Sequence, residues 1–277
     1  MPVADSNFYT VNLYYTDTKN REGNDSTPLI VIHGLLGSAD NWRSHVKAWQ
    51  EKRRVIAVDL RNHGRSPHVE GMTYRMMSDD VMALMDKLGI AHAHVLGHSM
   101  GGKVAMTMAR LAPRRVASLI VADIAPVTYS HGHDDVFAAL NEVAANRPAN
   151  RRDADALLAK HVDARPIRLF LATNLERTTD HGQPVMGLRV GLEQIIKGYP
   201  DIVTVPAGDL PYDGPCLVLR GANSDYVSDS MLPALKQVLP NARVVTLKEA
   251  GHWLHADQPQ AFQQAVESFV DAQSASC

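Results

Sequence analysis

The sequence predicts an α/β fold built on a mostly parallel sheet, with one long helical segment inserted between two late strands. Three observations carry this prediction. Short aliphatic and β-branched runs alternate with longer stretches of helical periodicity, which is the pattern of repeated strand–helix–strand units. The strand runs are apolar throughout rather than alternating, as expected where helices cover both faces of a sheet. The regular spacing breaks once, between Asp123 and Cys216, where far more chain intervenes than a crossover helix needs.

The elements follow in order. Phe8 to Tyr15 reads as an antiparallel edge strand. Pro28–His33, Arg54–Asp59, His94–Gly97, Val116–Ala122, Cys216–Arg220 and Ala242–Leu247 read as the parallel set. Between them, Met76 to Leu88 has apolar residues at i, i+3 and i+4 and stops at Gly89, a natural helix terminator; its methionines read as core filler. Val104 to Leu111 reads as a short buried helix ended by Pro113, and Ala261 to Val270 as the last amphipathic helix, begun through Asp257 and Pro259. The long segment is read as mostly helical, so residues 1–126 and 208–277 form the predicted core and 127–207 a predicted cap over a site.

Composition narrows the function. The 277 residues carry 28 basic and 30 acidic side chains, with 45% hydrophobic and 21% charged content, which suits one or two globular domains and excludes wholesale disorder. Balanced charge leaves no basic footprint for nucleic acid or an anionic membrane. Cys216 and Cys277 cannot make a disulfide framework, so a reducing compartment is expected. Apolar runs such as Pro28–Ile32 fall far short of the ~18 residues that span a bilayer. Met1–Asp5 lacks the basic and apolar regions of an export signal, and a cytoplasmic location is expected.

The strongest chemical signal is Gly97-His98-Ser99-Met100-Gly101-Gly102, a G-x-S-x-G directly after a strand and before a helix. In that context the serine stands on a turn too tight for side chains at the glycines, with its hydroxyl above the sheet edge. The alternative is a helix-capping serine in a glycine-rich turn. A serine needs a base, and His252 in Gly251-His252-Trp253 lies between the last strand and the last helix, where loops converge on the same crevice. His255 reads as structural and His98, inside the elbow, as packing. The oxyanion donors are expected to be the amides of Met100 and of Leu35, the latter in His33-Gly34-Leu35-Leu36-Gly37.

These motifs, with Asp59-Leu60-Arg61-Asn62-His63-Gly64-Arg65-Ser66, make the chain similar to the α/β-hydrolase superfamily. Asp123-Ile124-Ala125-Pro126 and Gly221-Ala222-Asn223-Ser224-Asp225-Tyr226-Val227-Ser228 resemble the YbfF-type bacterial esterases more narrowly. The resemblance implies a carboxylesterase or thioesterase with neither metal nor organic cofactor. The acid is the contested member of the triad. The usual G-x-x-D position after Cys216–Arg220 holds Ser224, and Asp225 comes one residue late. Asp123, at the end of the strand next to the nucleophile's, is the preferred acid, as the resemblance also implies, and Asp225 is the alternative.

Other readings follow. His131-Gly132-His133-Asp134-Asp135 resembles the start of a binuclear zinc motif, but Val136 replaces its last histidine, so a solvated polar stretch before a helix is preferred and no metal is expected. Asp59 to Ser66 reads as loop architecture, with Asn62 suited to positive φ. Phe137, Leu140, Phe170, Leu171 and Trp253 are the candidate apolar pocket. The expected function is a serine carboxylesterase acting on a small-molecule ester or thioester, as a monomer or homodimer. The alternatives are a C–C bond hydrolase, an acyltransferase, a perhydrolase or a non-catalytic ligand-binding protein.

Overall fold

The computed structural model describes residues 9–19 and 26–274. The chain begins with β1 (Tyr15–Asp17), β2 (Leu29–Ile32), α1 (Arg43–Trp49), β3 (Val55–Val58) and α2 (Tyr74–Lys87). Then come β4 (Ala93–His98), α3 (Met100–Leu111) and β5 (Val116–Ala122). An insertion follows, with α4 (Asp134–Asn146), α5 (Arg151–Leu158), α6 (Arg165–Leu171), β6 (Leu175–Asp180), β7 (Gln183–Leu188) and α7 (Leu192–Ile202). The chain returns through β8 (Cys216–Gly221), α8 (Leu232–Val238), β9 (Ala242–Leu247), α9 (Leu254–Asp257) and α10 (Pro259–Ser274).

The central sheet has the order β1-β3-β2-β4-β5-β8-β9, and only β1 runs antiparallel to its neighbour. Alternation along β2 shows why its run is apolar throughout. Leu29 and Val31 join one core with Trp42, Trp49 and Phe262, while Ile30 and Ile32 join the other with Val81, Val104 and Leu235. β2 pairs with β3 on one side and β4 on the other, so the strand order reverses there and opens a crevice at the carboxyl ends.

The insertion returns to the sheet along α3. Lys103, Thr107 and Arg110 stand at i, i+4 and i+7, one face of that helix. The Lys103 ammonium donates to the carbonyls of Val127 (2.7 Å) and Thr204, at either end of the insertion. Thr107 Oγ1 accepts from the Ala207 amide (3.0 Å), and the Arg110 guanidinium donates to the carbonyls of Pro206 (3.0 Å) and Leu210 (2.8 Å). Among the described residues no helix is long and apolar enough to cross a membrane.

Several sequence expectations need correction. The first strand is only Tyr15–Asp17. Before it, the amides of Val11 and Tyr14 donate to the Asp80 carboxylate (2.9 Å) and Ser66 Oγ (2.8 Å) rather than to a ladder; Phe8, like Cys277, lies outside the described residues. α3 begins at Met100, because Gly101 and Gly102 belong to its first turn despite their low helix propensity. The insertion is not all helical. β6 and β7 form a hairpin across His181 (φ 47°) and Gly182 (φ 81°), a two-residue turn with positive φ at both positions. α1 and α8 were not expected at all.

Burial of histidine makes the fold acid-labile. His33 and His94 are held down to about 4, and His63 and His98 to about 3, in each case chiefly because burial disfavours the imidazolium. Folded values below the unfolded 6.5 mean that the unfolded chain binds more protons between the two. This stability is complete above about 6.5 and is lost as pH falls through the window toward 4 and 3. Thermal melts from pH 7.5 to 4.5 are expected to show a melting temperature that declines progressively below pH 6.5. A flat profile over that range would contradict the neutral burial of these rings.

Candidate active site

Ser99 sits between β4 and α3 with φ 53° and ψ −121°, a conformation that side chains rarely adopt. The turn holds it there: its amide donates to the Ala122 carbonyl (2.9 Å), and its own carbonyl accepts from the Gly102 amide (2.8 Å). A Cβ on Gly97 would stand 2.1 Å from the Gly101 carbonyl oxygen, and one on Gly101 would stand 2.3 Å from that of His33. Only glycine fits at either place.

Asp123 follows β5 in a parallel way, also with φ 53°, its amide donating to the Leu219 carbonyl (2.8 Å) of β8. Its carboxylate is wholly buried. Oδ1 accepts from the Gly221 amide (2.9 Å), and Oδ2 accepts from the Ser224 hydroxyl and from His252 Nδ1 (2.8 Å). The opposite ring nitrogen, Nε2, lies 3.0 Å from Ser99 Oγ. A carboxylate at Nδ1 selects the tautomer with its proton there, leaving the Nε2 lone pair toward the serine hydroxyl. The structure thus brings Ser99, His252 and Asp123 into one line.

Two contacts fix the His252 ring and backbone. Tyr226 stacks on the imidazole with centroids 3.8 Å apart and planes at 20°. His98 Nε2 donates to the His252 carbonyl (2.7 Å), so His98 anchors the loop and is more than packing. His255 is structural: it stacks on Trp42 at 4.6 Å, and its carbonyl accepts from His45 Nε2 (2.9 Å).

The structure hydrogen-bonds His252 to Asp123 and not to Asp225. Asp225 is exposed on the wall of a cavity, and Ser224, in the usual acid's place, donates to Asp123 instead. One residue of shift in an extended segment turns a side chain to the other side.

Leu35 and Met100 both border the cavity that reaches Ser99. Met100 is the first residue of α3, so no preceding turn engages its amide. Leu35 is the second residue of a turn closed by Gly37 N–H to the Gly34 carbonyl (3.0 Å), with Leu36 at φ 60°.

Two cavities meet at Leu35, Ser99, Gly132, His133 and Tyr226. The smaller, about 260 Å³, runs toward Tyr74, Met100, Lys103, Tyr129 and Ile202. The larger, about 710 Å³, runs between the insertion and the sheet and is lined by Ile167, Phe170, Leu171, His252 and Trp253. Phe170, Leu171 and Trp253 therefore stand where the sequence suggested, with Phe170 and Trp253 rings 5.6 Å apart.

Phe137 and Leu140 do not line either cavity. Phe137 packs edge-on against Tyr199 (5.0 Å, 84°), and Leu140, on α4 of the insertion, is wholly buried in the core. The stretch from His131 is also not all solvated, because His133 is half-buried, lines both cavities and shares a 2.5 Å hydrogen bond with the Tyr199 hydroxyl. Among the described residues no group of three or more histidine, cysteine or acidic side chains is placed to hold a metal.

Sequence reasoning missed Tyr129 and Lys103 as neighbours of the site and gave no role to Ser224 or Tyr226. Tyr129 accepts from the Ala125 amide (2.8 Å) and donates to the Tyr226 carbonyl (2.6 Å), linking the loops after β5 and β8. Lys103 is only 1% exposed although it is a lysine, and its place directly after Gly101-Gly102 in an apolar helix was the available signal.

Residues 27–259 match the family model described as the alpha/beta hydrolase fold. The chain is 40% identical to the sn-1-specific diacylglycerol lipase ABHD11 of Danio rerio over 268 residues, covering 94% of this chain and 83% of that one. It is 34% identical to the esterase YbfF of Escherichia coli K12 over 265 residues, covering 94% and 99%. A solved structure of a marine microorganism esterase superposes with a TM-score of 0.87 at 35% identity, covering 94% of this chain and all of that one.

The two phenylalanines assigned to different surroundings give a direct check. Phe137→Ala is expected to cost about 3 kcal/mol, as for a buried aromatic whose cavity cannot collapse, and half-exposed Phe170→Ala about 1 kcal/mol. Urea melts of both variants decide it. Equal costs would mean that Phe137 is not a core residue.

Proposed function

The chain belongs to the α/β hydrolase fold family and is a hydrolase, and on that premise we propose that it is a serine carboxylesterase acting on small-molecule esters. The observation that carries the proposal is the continuous relay from the buried Asp123 carboxylate through His252 to Ser99 Oγ, at the junction of two cavities. The relatives named esterase and diacylglycerol lipase support the same bond type.

In this reading His252 Nε2 takes the Ser99 proton as Oγ bonds to the ester carbonyl carbon. The Leu35 and Met100 amides hold the oxyanion, and Asp123 stabilises the imidazolium while fixing its orientation. As the carbon–oxygen bond to the leaving group breaks, His252 returns the proton to that oxygen. Water then repeats the sequence: His252 removes its proton, its oxygen attacks the acyl carbon, and Ser99 Oγ leaves with the proton returned. A thioester follows the same path with sulfur leaving. Residues 127–207 serve as the cap that walls the larger cavity and keeps the acyl-enzyme from bulk water.

Ser99→Ala and His252→Ala are each expected to lose about 10⁴-fold or more in kcat, with Ser99→Ala also losing fluorophosphonate labelling. Retention of more than about a tenth of wild-type kcat by either variant would overturn the triad. Asp123→Asn should lower kcat by about 10⁴ because the amide favours the wrong tautomer, whereas Asp225→Asn should cost less than about tenfold. A single ester assay on both, with thermal melts alongside, reads the difference. Loss of activity in Asp225→Asn with activity kept in Asp123→Asn would reverse the roles.

A further inference from the structure

On the serine-esterase reading the two cavities would hold different limbs of the ester, and the place of His252 assigns them. A general acid must reach the leaving oxygen, and His252 lines the larger cavity. The leaving group therefore lies in the larger space, and the acyl chain enters the smaller one beside Met100, where about 260 Å³ admits a short chain only. This assignment rests on the serine-esterase reading above.

The wall of that acyl cavity contains a charge without a counter-charge. Lys103 is 1% exposed, and among the described residues burial is the one influence on its charge, with no carboxylate partner. Two of its three ammonium hydrogens go to the Val127 and Thr204 carbonyls, while the faces of Tyr129 and Tyr74 stand 4.7 and 5.6 Å away. Neutral acceptors and aromatic faces offset only part of the cost of burying a cation, a deficit that an anionic ligand would offset. We propose that Lys103 is a specificity-determining residue that selects short acyl groups ending in a carboxylate, so that the preferred substrates are half-esters of dicarboxylic acids with bulky leaving groups.

The other titratable groups on this cavity leave the lysine as its cationic feature. Tyr74, Tyr129 and Tyr199 are pushed up by burial and stay neutral, and burial holds His133 below its usual value. Asp225 and half-buried Tyr226 also face the cavity, with Asp225 exposed to water, which screens its field on an incoming anion. Burial alone lowers Lys103 to about 7, so its charge is present below that pH and lost above it.

The test compares kcat/KM for monobenzyl glutarate and for benzyl glutaramate, its uncharged isostere. In wild type at pH 6 the ratio of acid to amide is expected to exceed about ten, and Lys103→Met should bring it to near one. The wild-type ratio should also fall as pH rises through about 7, because kcat/KM reports the free enzyme and the dependence on His252 cancels between the two substrates. That second measurement needs no variant and stands even if Lys103→Met does not fold. A wild-type ratio near one, or a Lys103→Met variant that slows both esters equally, would overturn the proposal and leave Lys103 as a staple of the insertion. Cleavage of neither ester, with no fluorophosphonate labelling of Ser99, would instead defeat the esterase reading and this proposal with it.

Discussion

Backbone packs against backbone where β4 turns into α3, and the geometry of the site depends on that contact. Gly101 lies so close to the end of β2 that its hydrogen faces the His33 carbonyl, and Gly97 lies equally close to Gly101. The contact draws the first turn of α3 onto the loop after β2, which sets the Met100 amide beside the Leu35 turn. Ser99 is left in a conformation that costs on the order of 1–3 kcal/mol, borne by the surrounding hydrogen bonds. A side chain at either glycine would push the Ser99 turn away from the loop after β2.

Asp123 shows how a carboxylate can be brought to His252 from the strand beside the elbow, with the next strand's loop contributing. β5 lies between β4 and β8, so a carboxylate at its end is already next to the elbow. Asp123 takes that place with the same positive φ as Ser99 one strand away. The loop after β8 still contributes: Gly221 gives an amide, Ser224 a hydroxyl and Tyr226 a ring against His252. Three donors, the Gly221 amide, the Ser224 hydroxyl and His252 Nδ1, thus converge on one buried carboxylate.

The parallel strands were legible because each is apolar along its whole length, and the elbow because its glycines, serine and flanking elements occur in one order. Ser99, His252 and Asp123, singled out from position in the topology, are residues that the fold brings together. The insertion was harder to read. Its hairpin strands are short and half-exposed, so Leu175–Asp180 and Gln183–Leu188 lack a continuous apolar pattern, and only His181-Gly182 marks the turn. Phe137 and Phe170 look alike in sequence, and only tertiary packing sends one into the core and the other to the cavity. Lys103 escaped notice because its carbonyl partners, Val127 and Thr204, lie 24 and 101 residues along the chain, and the role of Ser224 because its bond to Asp123 spans 101 residues.

The carbonyls of Val127 and Thr204 bond to one ammonium group, so the insertion leaves and rejoins the core at nearly a single point. Loop-closure entropy at such a point depends only weakly on how much chain lies between the ends. The sheet is therefore largely indifferent to the length of what is threaded through that junction. A segment of another size grafted between positions 127 and 204 would keep the same junction where α3 keeps the three side chains that receive the returning strand, but would have to replace the Asn174 Nδ2 hydrogen bond to the Leu36 carbonyl (2.9 Å). The scaffold is in this sense modular, with one lysine as the socket.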